Sequence, residues 1–138
     1  MTEQSNALVK RGPLVLVVDD DPAILRVVEL LLDRNGYTVR TAANGQEALK
    51  ALRKIVPDVL VLDVVMPGMS GYDVCQIVKR DARLQNVPVI FLTAQGSPQD
   101  FKAGHDAGAV IYMTKPFQPD RLLGAIRLAC AAQPPAQE

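Results

Sequence analysis

The sequence predicts a single α/β domain in which a five-stranded parallel sheet carries helices on both faces. Five short apolar runs alternate with segments whose apolar residues recur at helical spacing. This alternation is typical of parallel strands joined by right-handed helical crossovers. The run over 14–18 is apolar without interruption, as expected for a strand that is covered on both sides. A chain of 138 residues is long enough to bury such a core in one domain.

The first two units each pair a strand with a capped helix. The first strand is predicted over 14–18, and Asp21 is suited to cap the helix that follows. Apolar residues continue at helical spacing up to Asn35-Gly36, a pair that favours a helix end. A second strand is predicted over 37–42, with Asn44 as the cap of the second helix.

Three further units follow the same order. They comprise a strand over 58–62 with a helix from about 71 to 81, a strand over 88–92 with a weaker helix over 97–107, and a strand over 109–112 with a helix over 119–131. The domain therefore extends from about residue 12 to 132. Residues 1–11 are interpreted as a flexible arm, and residues 133–138 as a polar tail or the start of a linker.

Composition excludes several classes of protein. Hydrophobic residues make up 49% of the chain, and 15 basic residues balance 15 acidic ones, which argues against disorder and against a basic nucleic-acid-binding surface. No apolar run approaches the roughly 20 residues that span a bilayer, and the first residues lack the apolar core of a secretory signal. We therefore expect a cytoplasmic protein without direct contact with nucleic acid or membrane. Cys75 and Cys130 have no metal-binding spacing, and His105 has no second ligand nearby in sequence.

The residues that carry chemistry follow the predicted strands. In an open parallel sheet the ligand binds at the carboxyl ends of the strands. In the flavodoxin-like strand order 2-1-3-4-5, strands one, three, four and five lie next to one another, and these are the strands that chemically active residues follow. Their side chains then converge on one cleft. These residues are Asp19, Asp20 and Asp21 after strand one, Asp63 after strand three, Thr93-Ala94 after strand four and Lys115-Pro116-Phe117 after strand five.

Clustered carboxylates need a compensating positive charge. Two unit charges about 4 Å apart repel by roughly 4 kcal/mol at an effective dielectric constant of 20. Carboxylate oxygens suit Mg²⁺, Lys115 supplies a further cation, and Thr93 supplies a hydroxyl donor. A metal, a cation, a donor and an Asp nucleophile are the groups that phosphoryl transfer to a carboxylate requires.

From Leu14 to Ala132 the sequence resembles the receiver domains of bacterial two-component response regulators. The resemblance rests on Asp19-Asp20, on Asp63 within LDVVMPGMSG, on Thr93-Ala94, and on Tyr112 three residues before Lys115-Pro116-Phe117. Each motif is short, but all of them occur in the family's order and at the predicted strand ends.

The resemblance implies a phosphoacceptor and a metal site. Asp63 is then the phosphoacceptor and one of the metal ligands. Asp20 is a direct ligand, Asp19 acts largely through metal-bound water, and the backbone carbonyl of Val65 is a further ligand. The implied ion is Mg²⁺, for which Mn²⁺ can substitute.

The resemblance also implies residues that bind the phosphoryl group and transmit its presence. Lys115 and Thr93 contact the phosphoryl oxygens, and the small Ala94 leaves room for them. Thr93 and Tyr112 form the switch, in which the aromatic ring changes its exposure on activation. The peptide bond between Lys115 and Pro116 is expected to be cis.

The function implied is that of a response regulator receiver domain. Asp63 accepts a phosphoryl group from a sensor histidine kinase or a histidine phosphotransfer protein, and the domain then signals to an output protein or output domain. Such a domain is not a conventional enzyme, because it catalyses only its own Mg²⁺-dependent phosphorylation and dephosphorylation. Phosphorylation can also drive homodimerisation through the helix over 97–107, the fifth strand and the last helix.

Three alternatives remain open at this stage. The first is a stand-alone phosphorelay intermediate that has no output of its own. The second is a small Mg²⁺-dependent phosphatase similar to haloacid dehalogenases, although those place the nucleophile after the first strand and the acid pair late in the chain. The third is a flavodoxin-like carrier, which three aspartates after the first strand disfavour because they would repel a flavin phosphate.

Overall fold

The structure, a computed structural model, describes residues 12–94 and 111–131. Three predicted features lie outside the described residues: the arm over 1–11, the helix over 97–107 with His105, and the tail over 133–138. The strand predicted over 109–112 and the domain end near residue 132 are described only in part.

Five parallel strands form one sheet in the order β2-β1-β3-β4-β5, which confirms the predicted fold class and strand order. The crossover order brings β1 and β3 together at the centre, with β4 and β5 following on one side. The strands are β1 (Leu14–Val18), β2 (Thr38–Ala42), β3 (Val59–Asp63), β4 (Val89–Thr93) and β5 (Ile111–Thr114).

Four helices within the described residues begin and end where local sequence signals favour it. They are α1 (Pro22–Arg34), α2 (Gly45–Leu52), α3 (Gly71–Arg80) and α4 (Pro119–Ala131). The predicted caps are confirmed: Asp21 accepts from the Ala23 amide at 2.9 Å, and Asn44 accepts from the Glu47 amide at 2.8 Å. After α1, Gly36 adopts a φ of 90°, a left-handed conformation that glycine tolerates best.

Apolar side chains of the helices cover both faces of the sheet. Successive strand residues point to opposite faces, so Leu60 packs beneath α2 and α3 while Val61 packs beneath α1 and α4. All residues of β3 and β4 are buried. The carboxyl ends of these strands are therefore held by a rigid core.

Two predicted strands were placed one residue too early, so Asp63 and Thr93 are the last residues of β3 and β4 rather than the first residues after them. The prediction that the fifth strand ends at Tyr112 was wrong, since β5 continues to Thr114. The reason is pairing: Met113 lies opposite Leu92 and Thr114 opposite Thr93, so β5 continues for as long as β4 offers partners.

Neither 12–94 nor 111–131 contains a helix with the length and apolar character needed to cross a bilayer.

Candidate functional site

Three carboxylates meet at the carboxyl ends of β1 and β3. The side chains of Asp19, Asp20 and Asp63 each offer an oxygen, and these atoms lie within 4.8 Å of one another. Asp19 is 1% exposed and Asp63 is 5% exposed, whereas Asp20 is open to solvent. The predicted convergence of these acids is confirmed, and it leaves one carboxylate of the three accessible from outside.

Hydrogen bonds fix the orientation of the Asp19 carboxylate. One oxygen accepts from the Asp21 amide at 2.9 Å, and the other accepts from the Lys115 Nζ at 2.7 Å. The Asp19 amide donates to the Ala42 carbonyl of β2 at 3.2 Å, which ties the end of β1 to its neighbour. Asp19 is thus the anchor of Lys115 in this site.

Lys115 enters the cluster from the loop that follows β5. Its amide donates to the Thr93 carbonyl at 2.7 Å, and the peptide bond between Lys115 and Pro116 is cis. The Lys115 Nζ also lies 3.5 Å from an oxygen of Asp63, so the ammonium group bridges two of the three acids. Burial alone would lower the pKa of Lys115, but the hydrogen bond and charge of Asp19, with those of Asp63, raise it overall. Lys115 is therefore a permanent cation at neutral pH.

One ammonium group does not neutralise three carboxylates. Burial and the negative charge of Asp19 raise the pKa of Asp63 from 3.8 to about 6, although Lys115 opposes this. Without a further cation, the negative form of Asp63 is unfavourable. Hard carboxylate oxygens with one side open to solvent are a donor set that fits Mg²⁺.

Thr93 and Ala94 lie beside the acids at the end of the adjacent strand. Asp63 pairs with Leu92, so Thr93 is one residue beyond the partner of Asp63. Thr93 is 1% exposed, whereas Ala94 is exposed and adds little bulk. Val65, two residues after Asp63, is 67% exposed. The Lys115 ammonium group thus lies 3.5 Å from the Asp63 carboxylate, and Thr93 ends the neighbouring strand.

The first residue of α3 packs against the backbone at Asp63, a contact that the sequence reasoning missed. The Gly71 amide donates to the Val64 carbonyl at 2.9 Å. A Cβ atom at Gly71 would lie 2.2 Å from the backbone oxygen of Asp63, which is too close for any side chain. The glycine in the segment MSGYD was the available sequence signal for this close approach.

Tyr112 is half-buried and belongs to an aromatic cluster at the edge of the core. Its hydroxyl lies 2.9 Å from the Tyr72 hydroxyl, and its ring centroid lies 5.9 Å from that of Phe91. Tyr72 meets Phe91 edge to face, with centroids 5.0 Å apart. The sequence reasoning did not identify Tyr72, whose signal was an aromatic residue in the first turn of a sheet-packed helix.

Three acids, a lysine and a threonine lie at the strand ends of this parallel sheet. The protein is therefore an α/β protein with an acidic site that can hold a cation. The chain matches the family described as "Response regulator receiver domain" over residues 15–127. It belongs to that family.

Known relatives agree with this membership. The chain is 40% identical over 115 residues to the DNA-binding dual master transcriptional regulator RpaA of Synechocystis, covering 83% of this chain and 48% of RpaA. It is 37% identical over 113 residues to the DNA-binding response regulator MtrA of Mycolicibacterium smegmatis, covering 82% and 48% of the two chains. The chain thus spans about half the length of these curated relatives. The chemotaxis protein CheY4 of Vibrio cholerae superposes with a TM-score of 0.82 at 36% identity, covering 85% of this chain and 98% of CheY4.

Proposed function

We propose that Asp63 accepts a phosphoryl group in a Mg²⁺-dependent reaction, with a phosphohistidine of a sensor kinase or phosphotransfer protein as the donor. The observation that carries the proposal is the cluster of Asp19, Asp20 and Asp63 with the Lys115 Nζ between Asp19 and Asp63. It combines a nucleophile, a cation and an accessible acidic edge in one place.

The transfer is a displacement at phosphorus. A carboxylate oxygen of Asp63 attacks, a P–O bond forms, and the P–N bond to the donor histidine breaks. The electron pair of that bond stays with the ring nitrogen, so the histidine leaves as neutral imidazole when its other nitrogen carries a proton. With acetyl phosphate as donor, a P–O bond breaks instead and acetate leaves.

The residues around Asp63 have distinct parts in this reaction. Lys115 stabilises negative charge on the phosphoryl oxygens, and the Thr93 hydroxyl donates a hydrogen bond to one of them. Asp20 and Asp63, with Asp19 and the backbone carbonyl of Val65, would hold Mg²⁺. When bound, this ion neutralises charge on the transferring group.

The signal is then read by another protein or domain. RpaA and MtrA are DNA-binding regulators about twice as long as the match, whereas CheY4 is matched over nearly its whole length. We place the receiver domain at about 12–132 and infer a cytoplasmic role in which the domain acts through protein contacts rather than through nucleic acid. The same chain serves either as an input module or as a stand-alone phosphorelay component.

Acetyl phosphate with Mg²⁺ tests the chemistry directly. Intact-mass analysis should show one phosphoryl addition to the parent, and none after chelation of the metal or in Asp63→Ala. Borohydride reduction followed by peptide mapping should locate the modified residue. Asp33→Ala, which removes an exposed acid on α1, is the matched control and should be phosphorylated like the parent. Phosphoryl addition that persists in Asp63→Ala would contradict the assignment.

A further inference from the structure

The hydroxyl pair between Tyr72 and Tyr112 joins two elements that the sequence leaves 40 residues apart. Tyr72 lies in the first turn of α3, and Tyr112 lies on β5 at the edge of the described sheet. Both tyrosine rings pack on the ring of Phe91 in β4, and their hydroxyls meet each other. Packing alone would be served by phenylalanine at either position. The two hydroxyls therefore add a directional contact to an apolar cluster.

The tyrosine contact lies next in sequence to Gly71, the residue that packs against Asp63. Gly71 packs against the Asp63 backbone oxygen so closely that a Cβ atom would lie 2.2 Å from it. Tyr72 is the next residue of the same helix turn. A short chain of contacts thus runs from the Asp63 backbone through Gly71 and Tyr72 to Tyr112.

We propose that Tyr72 is a latch that holds the Tyr112 ring inward against Phe91 and couples the start of α3 to β5. When Tyr112 turns outward, the hydrogen bond between the two hydroxyls is broken. A hydrogen bond of ordinary strength changes such an equilibrium by roughly two- to tenfold. Tyr72 is a positioning residue, because it acts on Asp63 and on the β5 surface only through its neighbours.

The position of the ring can be measured without any phosphoryl group. The chain has three tyrosines, so ¹³C-labelled tyrosine rings give three sets of NMR signals that single Tyr→Phe variants assign. In Tyr72→Phe, a soluble paramagnetic agent should broaden the Tyr112 signals more than in the parent. Tyr37→Phe is the matched control, because it removes a hydroxyl that bonds to Arg127 in the opposite core layer. Unchanged Tyr112 broadening in Tyr72→Phe would overturn the latch.

The coupling to Asp63 rests on the proposed function and is measured separately. Beryllofluoride with Mg²⁺, a phosphoryl mimic, should bind Tyr72→Phe about two- to tenfold more weakly than it binds the parent. Tyr112→Phe should also show a loss, and the double variant should lose less than the sum of the two single losses, because both substitutions remove the same hydroxyl pair. Additive losses, or a loss of the same size in Tyr37→Phe, would overturn the coupling. If the parent does not bind beryllofluoride, the proposed function is wrong, and the ring measurement alone then decides the latch.

Discussion

Replacing Asp63 with asparagine should stabilise the metal-free protein at neutral pH. The Asp63 carboxylate is 5% exposed and lies in the same cluster as Asp19 and Asp20. Asparagine has the same shape and can still accept a hydrogen bond from Lys115, but it carries no charge. The substitution therefore removes the unfavourable charge and leaves the packing in place.

The size of the effect follows from the pKa of Asp63. Burial and the charge of Asp19 raise this pKa from 3.8 to about 6. At 1.36 kcal/mol for each tenfold change in proton affinity, the negative form costs the native state roughly 3 kcal/mol relative to the unfolded chain. For a domain of this size, that difference corresponds to a change in Tm of about 10 °C.

The sign of the pH dependence follows from linkage. The native state binds the Asp63 proton more tightly than the unfolded state does, so the contribution of Asp63 to stability is greatest below pH 4. This contribution is lost as the pH rises from about 4 to about 6, and the loss is complete at pH 7. The free energy of unfolding of Asp63→Asn, minus that of the parent, should therefore increase by roughly 3 kcal/mol across this range.

Urea unfolding in metal-free buffer at several pH values measures this difference. Asp33→Asn on α1 is the control, since an exposed acid away from the site should change the unfolding free energy by less than about 0.5 kcal/mol. The slope against urea should be the same in all three proteins. A pH-independent difference between Asp63→Asn and the parent, or a less stable variant at pH 7, would refute the reasoning.

Three further substitutions test the rest of the site. Asp20→Asn should melt higher than the parent without Mg²⁺ and lose most of the Mg²⁺-induced rise in Tm, and equal rises in both proteins would count against the cation site. Lys115→Ala leaves buried acids without their cation, so metal-free urea unfolding at pH 7 should show a loss of about 2 kcal/mol or more, and phosphorylation of Asp63 by acetyl phosphate should slow. Gly71→Ala forces a Cβ atom onto the Asp63 backbone and should cost about 2 kcal/mol in thermal unfolding. Gly124→Ala, with nothing within 4 Å, should be neutral or stabilising by up to about 1 kcal/mol, and similar effects of the two would rule out the close approach.

The convergence of the site was predictable because parallel topology leaves little choice. Once the units alternate and the strand order is 2-1-3-4-5, the residues at the ends of β1, β3, β4 and β5 must lie at one edge. The meeting of Asp19, Asp20, Asp63 and Lys115 follows from that rule and from residue type alone. The same reasoning located the helix caps, which depend on neighbours in sequence.

Features that depend on side-chain packing between elements were not predictable. The Tyr72 hydroxyl meets that of Tyr112 only because α3 and β5 both pack on Phe91, and no local pattern encodes that geometry. The end of β5 was missed for a related reason. Met113 and Thr114 are in the strand because Leu92 and Thr93 lie opposite them, and pairing with a distant strand cannot be read from the local sequence.

The same lysine links the charge of the site to its conformation. Lys115 binds Asp19 through its side chain at 2.7 Å and the Thr93 carbonyl through its amide at 2.7 Å, so it joins the acid cluster to the end of β4. A phosphoryl group on Asp63 would bring new negative oxygens to an ammonium group that already lies 3.5 Å from this carboxylate. Because Lys115 is then attracted by Asp19 and by the phosphoryl group, its position depends on the charge of Asp63. A displacement that reaches the Lys115 backbone would be passed to Thr93, whose carbonyl accepts from the Lys115 amide, and to Thr114, the last residue of β5. Hence we expect the carboxylate that lowers the stability of the metal-free protein also to make the neighbouring strand ends sensitive to the chemistry at Asp63.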